Sequence, residues 1–432
     1  MKYMRYLRAL GAGLALAVGL VCGGCGDEAA DAPITMPAAV GSQAEVADAP
    51  VPVDVYWDAT YSMQGYATIA AGNVYRTLPD ELSDLGGSMG ETTFYRFGQE
   101  IKKLEGREHR NFSNPGYYDE VITSFGNVID QADATHLSIV VTDLFESDAD
   151  WSNIAQKLKE KYFSQHLAVA IIGIKNPFQG DIFDVGLDAK KYAYDSGSDP
   201  ARYRPFYLFI MGPDAKVESF VARFHERQPG GADVQYLVLS EKLADGALDF
   251  RTLKTAESAN LYADEKHEVQ DARIREFGVD AEGDTASLTV PFTYAPAFGA
   301  LPVDVQGLKV ETQCFSLADG EWQPVEKQSS DMKAELVPGD GGQYQLKVSF
   351  TPEKSLVPEK VNFVHVSVAP DAKGYRLPDW VKAWNMTNAD VDPAQFDGSK
   401  TINFLRVVES LKASVLSAAH PSLVNLDFIV DE

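Results

Sequence analysis

The sequence predicts an α/β protein in two parts: a doubly wound, mostly parallel sheet, then a β-rich, sandwich-like domain with a C-terminal helix. Three observations predict this. Over residues 51–245, short apolar runs alternate with amphipathic stretches, a pattern typical of strands joined by crossover helices. Over residues 246–432, short apolar runs are separated by turn signals. Near the end of that part the apolar residues change to a helical period.

The composition is that of a folded, acidic protein. With 432 residues, 45% of them hydrophobic, the chain can form two or three domains that each have a core. Its formal net charge of −25 would repel a polyanion. We therefore exclude nucleic acid as a partner.

The N-terminus has the features of an export signal. Lys2, Arg5 and Arg8 precede an apolar run, Leu10–Val21, that is too short to span a bilayer comfortably. The CGGCGDEAAD that follows resembles the lipobox of bacterial lipoproteins, in which Cys25 would carry lipid and become the new N-terminus. This resemblance implies an extracytoplasmic protein, anchored by lipid to a membrane of the bacterial cell envelope.

The cysteines and the next segment extend this interpretation. If residues 1–24 are removed and Cys25 is lipidated, Cys314 is left alone and no disulfide can form within the mature chain. The alternative is a simple cleaved signal, with Cys25 free or paired with Cys314. Residues 25–50 are rich in Ala, Asp, Glu and Pro and bury too little apolar surface to fold. They are predicted to form a disordered tether.

Residues 51–245 supply the predicted α/β domain. Its strands are Val51–Trp57, Thr92–Phe97, a short edge piece at Glu100–Leu104, Leu137–Thr142, Leu167–Gly173, Pro205–Met211 and Val234–Leu239. Its helices are Thr77–Leu85, Ser124–Ala132, Trp151–Phe163 and Ala215–Glu226. Strands that alternate with helices imply crossovers and a mostly parallel sheet with both faces covered.

One connection, Lys175–Tyr203, is too long for a plain crossover and is rich in Gly, Asp, Tyr and Phe. Long loops in compact domains are often binding loops. We expect it to lie at the carboxyl edge of the sheet and to border the candidate site described below. The alternative is a poorly patterned helix with a β-hairpin.

The β-rich part is predicted from four alternating runs, ASLTVPFTY, LKVETQCFSL, YQLKVSFT and VNFVHVSVAP. They could form one sandwich or two smaller sheets. The last helix is predicted at Thr401–Leu416, with Ser399 or Asp397 as its cap. Its apolar face is expected to pack back onto a core.

An aspartate and alternating hydroxyls follow the first predicted strand. In DATYSMQG, Asp58, Thr60 and Ser62 can turn their oxygens to the same side, and a carboxylate with hydroxyls suits a hard cation. The alternative is that they are ordinary turn and cap residues. Asp143 directly follows the fourth strand, which lies beside the first in a doubly wound sheet, and Thr123 opens the helix before the fourth strand. All of these oxygens are therefore expected at one crevice.

These loops resemble the metal-ion-dependent adhesion site of von Willebrand factor A (vWA) domains. The matching residues are Asp58, Thr60, Ser62, Met63, Gly65, Thr123, Gly126, Val128, Ile129, Thr142 and Asp143. The resemblance implies that Asp58, Thr60, Ser62, Thr123 and Asp143 hold Mg2+, or else Mn2+ or Ca2+. With two carboxylates and three hydroxyls as ligands, such an ion keeps an open or water-filled position. It could therefore take a carboxylate from a protein partner.

Two residues depart from the family pattern. Thr60 replaces the commoner serine and keeps the hydroxyl, whereas Leu144 replaces the usual glycine after Asp143 and restricts that loop. The resemblance as a whole implies a membrane-anchored protein that binds a protein partner through the cation. The β-rich domain would then be a spacer or a second contact surface.

Two other functions are left open by the sequence. One is an exported, metal-dependent hydrolase that uses the same loops, although no convincing catalytic constellation is present. The GGSMG at Gly86–Gly90 has the nucleophile-elbow pattern but lies between a helix and a strand, the reverse of the order that exposes such a serine. The other is a vWA fold with a non-functional metal site.

Overall fold

The computed structural model describes residues 34, 36–37, 49–144, 148–183, 191–228, 233–244, 248, 257–269, 274–279, 285–371, 373–387 and 396–431. The predicted signal, Cys25 and most of the predicted tether lie outside these ranges. Within them the chain is a mixed α/β protein with more strands than helices. None of the helices in these ranges is long and apolar enough to cross a membrane.

The first half of the chain contains most of the predicted elements. Its strands are β1 (Val53–Asp58), β2 (Thr92–Phe97), β3 (Ile101–Lys103), β4 (Leu137–Thr142), β5 (Ala168–Asn176), β6 (Gln179–Phe183), β7 (Lys191–Asp195), β8 (Arg204–Gly212) and β9 (Val234–Leu239). Its helices are α1 (Tyr61–Gln64), α2 (Leu78–Gly87), α3 (Phe125–Gln131), α4 (Asp148–Lys161) and α5 (Asp214–Arg227). The strands and helices predicted for this half end within three residues of these bounds.

Seven of these strands form one sheet in the order β3-β2-β1-β4-β8-β5-β9. β1 pairs in parallel with β2 and with β4, so the expected adjacency of the first and fourth strands is confirmed. β8, however, runs antiparallel between β4 and β5, and β9 is antiparallel to β5. The prediction of a mostly parallel sheet is therefore wrong, because the sheet is mixed.

The reversal at β8 follows from the connection before it. A parallel return requires a crossover, usually a helix laid on one face of the sheet. The described part of Lys175–Tyr203 instead forms the antiparallel hairpin β6–β7, so the chain turns back beside β5. Of the two predictions for this segment, the hairpin is confirmed. Residues 184–190 lie outside the described ranges.

The second half of the chain contains two larger sheets and the short parallel pair β19–β20. Its strands are β10 (Glu257–Ala259), β11 (Leu261–Ala263), β12 (Arg275–Val279), β13 (Ala286–Thr293), β14 (Leu308–Ala318), β15 (Glu321–Pro324), β16 (Lys333–Pro338), β17 (Gln343–Phe350), β18 (Asn362–Pro370), β19 (Asn385–Met386), β20 (Thr401–Ile402) and β21 (Val424–Asp431). Its helices are α6 (Glu326–Asp331), α7 (Pro352–Ser355), α8 (Asp379–Ala383) and α9 (Phe404–Ala418). The sheets β10-β13-β17-β16 and β11-β12-β21-β18-β14-β15 share one core, which includes Leu288, Leu346 and Val366.

Side chains on the central strands of the seven-stranded sheet point alternately to its two faces. They form one apolar layer on each face. On β1, Val55 and Trp57 face the layer that α2 and α5 cover, whereas Tyr56 faces the layer that α3 and α4 cover. α9 joins this second layer through Val408 and Leu411. The C-terminal helix therefore packs on the first sheet, and the chain returns to the second half as β21.

The predicted cap of that helix is wrong. α9 begins at Phe404, after Asn403, which has a left-handed backbone with φ of 58°. Asp397 instead accepts hydrogen bonds from the main-chain N–H and the hydroxyl of Ser399, at 3.1 and 2.6 Å. These bonds form a local turn ahead of β20. The N-terminus of α9 lies several residues further along the chain.

A short piece of the predicted tether packs against the second half. Ile34 is buried, and its main-chain N–H donates to the carbonyl oxygen of Glu268 at 2.7 Å. Its side chain contacts Phe363 and Ile429 on the outer face of the six-stranded sheet. The prediction of a disordered tether is therefore wrong at Ile34, because an apolar face of the sheet, which composition does not reveal, is available to cover it.

Candidate metal centre

β1 ends on Asp58 at the carboxyl edge of the seven-stranded sheet. Asp58 is fully buried, and its Oδ1 accepts hydrogen bonds from the main-chain N–H and the hydroxyl of Thr60, at 3.0 and 2.7 Å. Thr60 is also the N-cap residue of α1, yet its hydroxyl makes no capping bond to that helix. The hydroxyl is thus directed at the carboxylate, which favours the site over an ordinary cap.

Two hydroxyls join Asp58 to the second carboxylate. The Oγ1 of Thr60 lies 3.0 Å from the Oγ of Ser62, which donates to Oδ1 of Asp143 at 3.1 Å. Asp143 directly follows β4, the parallel neighbour of β1. The run from Asp58 through Thr60 and Ser62 to Asp143, here called the oxygen run, spans residues 85 positions apart in sequence.

Two more hydroxyls reach the other oxygen of Asp58. Thr123 donates to Oδ2 at 3.3 Å and Thr142 donates to it at 3.0 Å. The five residues singled out by sequence are therefore close together in the fold. Thr142 matches the family pattern but is not among the five predicted ligands. Thr142 reaches Asp58 because β1 and β4 pair in parallel. Trp57 lies opposite Val141, so the next residues, Asp58 and Thr142, lie beside each other.

Main-chain hydrogen bonds hold the loop of Thr123 against the first loop. Thr60 forms an isolated parallel bridge with Glu120. The N–H of Tyr61 donates to the carbonyl of Glu120 at 3.0 Å, and the N–H of Glu120 donates to the carbonyl of Ala59 at 3.2 Å. The distance from Thr123 to Asp58 is consequently fixed by the backbone as well as by the hydroxyl.

The surroundings of Asp58 disfavour its negative charge. Burial, and then the nearby carboxylate of Asp143, raise the pKa of Asp58 from its ordinary 3.8 to about 7, although hydrogen bonds from Thr60 and Thr142 lower it. In the described part of the chain, hydroxyl and N–H groups contact Asp58 and no basic side chain does. A divalent cation beside the two carboxylates would favour their charged forms.

The donor set fits a hard divalent cation. It consists of oxygen atoms alone, which are the ligands that Mg2+ and Ca2+ prefer. The five residues Asp58, Thr60, Ser62, Thr123 and Asp143 are all less than 10% exposed. The hydroxyls of Thr60, Ser62 and Thr123 donate to the two carboxylates. To hold an ion they would turn their hydrogens away and present lone pairs.

The restriction expected at Leu144 is visible in its backbone. Leu144 has φ of 64°, in the left-handed region that favours glycine. Its side chain is buried in the layer under α3 and α4, and its N–H donates to the hydroxyl of Thr142 at 3.2 Å. Packing and this hydrogen bond together hold the loop of Asp143 in a conformation that costs a leucine about 1–2 kcal/mol.

Leu144→Gly should lower the free energy of unfolding by about 1–2 kcal/mol in urea titrations. Glycine removes the left-handed strain, but the loss of a buried leucine side chain typically costs about 2–5 kcal/mol and outweighs it. A variant more stable than wild type would show that the side chain does not anchor this loop.

The hairpin β6–β7 and its flanking residues pack against the first loop. A Cβ on Gly65, which follows α1, would lie 2.3 Å from the ring of Phe178, and one on Gly180 would lie 3.0 Å from the Cα of Gly65. Phe178 is fully buried and meets Tyr66 edge to face at 4.8 Å. The segment predicted to border the site therefore contacts α1, the helix that carries Ser62.

Another group of possible ligands lies in the second half of the chain. The ligand atoms of His267, Glu276 and Asp431 lie within 4.8 Å of one another. His267 already pairs with Glu276 at 2.7 Å, and the ammonium of Lys266 lies 3.0 Å from Asp431. The His267–Glu276 hydrogen bond and the Lys266–Asp431 ion pair thus account for this group without a metal.

The GGSMG segment does not form a nucleophile elbow. Ser88 is the C-cap residue of α2, and its hydroxyl donates to the carbonyl of Leu85 at 2.7 Å. The chain then enters β2, so the helix-to-strand order predicted from sequence is confirmed. A strand-to-helix turn is what would expose a nucleophilic serine.

Comparisons with known proteins give no further assignment. Neither a scan against protein-family models nor a search of curated proteins finds a match. Among solved structures the chain is similar to a marsupial T cell receptor at 11% identity, over 48% of this chain and 83% of that chain. The TM-score of 0.13 is too low for an argument about fold or function.

Proposed function

We propose that the chain binds a protein partner through a divalent cation, Mg2+, Mn2+ or Ca2+, held at the end of β1. The observation that carries this proposal is the oxygen run from Asp58 through Thr60 and Ser62 to Asp143. The order of these residues along the chain, and helices on both faces of the sheet, support a vWA-like, doubly wound domain over residues 51–245.

The residues of the chain have separate roles in this proposal. Asp58 and Asp143 supply negative charge to the ion, and Thr60, Ser62 and Thr123 supply neutral oxygens. The bound ion would offer a positive centre to a carboxylate of the partner. Contacts between β6–β7 and α1 keep the loop of Ser62 in place.

The predicted lipid anchor gives the proposed location of the protein. Lipid on Cys25 would anchor the protein to a membrane of the bacterial envelope, on the extracytoplasmic side. Ile34, nine positions further along, packs on the six-stranded sheet, so the second half of the chain would lie near the anchor. That half would act as a spacer or as a second contact surface for the partner.

Water-proton relaxation with Mn2+ tests this function. Mn2+ bound to the full chain with an open position should carry exchangeable water and enhance the relaxation of bulk water protons. Capped aspartate amide should displace that water and lower the enhancement, whereas capped asparagine amide, which lacks the charge, should not. No Mn2+ binding, or an equal response to both compounds, would contradict the proposal.

A further inference from the structure

Exposed apolar side chains are concentrated beside the candidate metal centre. In the ranges that the structure describes, six large apolar side chains are exposed, and three of them are Tyr61, Val121 and Ile122, at 43%, 75% and 53%. Tyr61 directly follows Thr60, and the other two directly precede Thr123. We refer to Tyr61, Val121 and Ile122 as the apolar rim.

The backbone brings the two parts of the apolar rim close together. The parallel bridge between Thr60 and Glu120 sets Tyr61 beside Val121, and the N–H of Tyr61 donates to the carbonyl of Glu120 at 3.0 Å. The apolar rim therefore borders two of the loops that supply ligand oxygens. Apolar side chains grouped beside a polar site are typical of a surface that a partner covers.

The charges around the apolar rim restrict the partner. The side chain of Asp119 is 66% exposed and that of Glu120 is 33% exposed, and Arg96 is the basic residue that pairs with them. The whole chain carries a net charge of −25. A partner segment with several acidic residues would be repelled here at short range. A partner segment that has one carboxylate, directed at the cation, and uncharged neighbours would not be repelled.

We infer that the partner presents a single carboxylate flanked by large apolar side chains, the carboxylate binding the cation and its neighbours packing on Tyr61, Val121 and Ile122. This inference rests on the proposed function. It goes beyond it by naming the chemistry on each side of the carboxylate. The apolar neighbours supply affinity and specificity that the ion alone cannot, because any carboxylate satisfies the ion.

Synthetic capped pentapeptides test the inference on the Mn2+-loaded full chain. One has aspartate flanked by leucines, one has aspartate flanked by serines, one has asparagine flanked by leucines and one has aspartate flanked by glutamates. The first should bind about tenfold more tightly than the second, since each buried apolar side chain adds to affinity. The last two should bind more weakly than the first.

Paired variants assign the difference to the apolar rim. Val121→Ser with Ile122→Ser should remove the roughly tenfold preference for leucines, while the affinities for Mn2+ and for the serine-flanked peptide stay unchanged. Val337→Ser is the matched control, because Val337 is 45% exposed on β16, far along the chain in the second half. It should change none of these affinities.

Two results would overturn the inference, and they are distinguishable. If Mn2+ binds and aspartate peptides bind with no preference for leucines, or if Val337→Ser abolishes the preference equally, the apolar rim is not the contact surface and the proposed function still stands. If Mn2+ does not bind, the proposed function fails and this inference fails with it.

Discussion

Without divalent cations at pH 8, Asp58→Asn should be more stable than wild type, by on the order of 4 kcal/mol. Burial and the Asp143 carboxylate raise the pKa of Asp58 to about 7, so at pH 8 the wild type holds a buried charge that the amide lacks. The amide oxygen can still accept from Thr60, and the hydroxyls of Thr123 and Thr142 can rotate to accept from its nitrogen. Urea unfolding in EDTA measures the difference.

The difference should depend on pH with a definite sign. Because the pKa of Asp58 in the folded chain lies above its ordinary 3.8, protonation stabilises the fold at low pH. This contribution is lost as pH rises through about 7. Wild type and Asp58→Asn should therefore be equally stable below about pH 4 and should separate between about pH 4 and pH 8.

Asp214→Asn is the matched control for this measurement. Burial and the Glu218 carboxylate raise the pKa of Asp214 to about 7, but it follows β8 and so lies at the opposite edge of the sheet from Asp58. It should also gain stability at pH 8 in EDTA. Added Mg2+ should further stabilise wild type and Asp214→Asn, and should leave Asp58→Asn unchanged. A less stable Asp58→Asn at pH 8 in EDTA would contradict the electrostatics described for the site.

Gly65→Ala should lower the free energy of unfolding by about 2–3 kcal/mol and should weaken Mn2+ binding. Gly65 has φ of −62°, which alanine adopts readily, so the cost is steric: a Cβ would lie 2.3 Å from the ring of Phe178. That ring is enclosed by Tyr66 on one side and lies 5.6 Å from the Arg204 guanidinium. It can make room only if the hairpin moves away from α1. Urea unfolding and Mn2+ titration measure the two effects.

Gly87→Ala is the control for added volume at a glycine. Gly87 is the last residue of α2, and a Cβ there meets no heavy atom within 4 Å. Alanine should leave Mn2+ binding unchanged and raise stability by up to about 1 kcal/mol. If Gly65→Ala behaves in the same way, the contact between the hairpin and the first loop does not support the site.

The predictable part of the site follows from local rules. The strand that ends on Asp58 and the strand that ends before Asp143 are both runs of buried apolar residues, and short apolar runs between polar turns are readily identified. The crossover through α3 makes these two strands parallel neighbours. The carboxyl ends of these strands then lie at the same edge of the sheet. The alternate spacing of Thr60 and Ser62 directs both of their hydroxyls to the same side.

The unpredicted parts depend on long-range packing. The helical period of the sequence identifies the apolar face of α9, but it does not show which core this face joins. In the structure the face packs on the first sheet. The direction of β8 depends on whether Lys175–Tyr203 crosses the sheet. The composition of this segment, rich in Gly, Asp, Tyr and Phe, fits a loop or a hairpin equally well. The burial of Ile34 depends on a face formed by β18 and β21, which are more than 300 residues away in sequence.

Thermal unfolding of the full chain, with Mg2+ or with EDTA, tests the central claim most directly. Saturating metal, at about 100 times its dissociation constant, adds about 2.7 kcal/mol to the stability of a protein that binds it only when folded. We predict a Tm rise of roughly 3–7 °C in wild type and none in Asp58→Ala. An unchanged Tm in wild type at millimolar Mg2+, Mn2+ and Ca2+, or an equal rise in Asp58→Ala, would contradict a cation site at the end of β1.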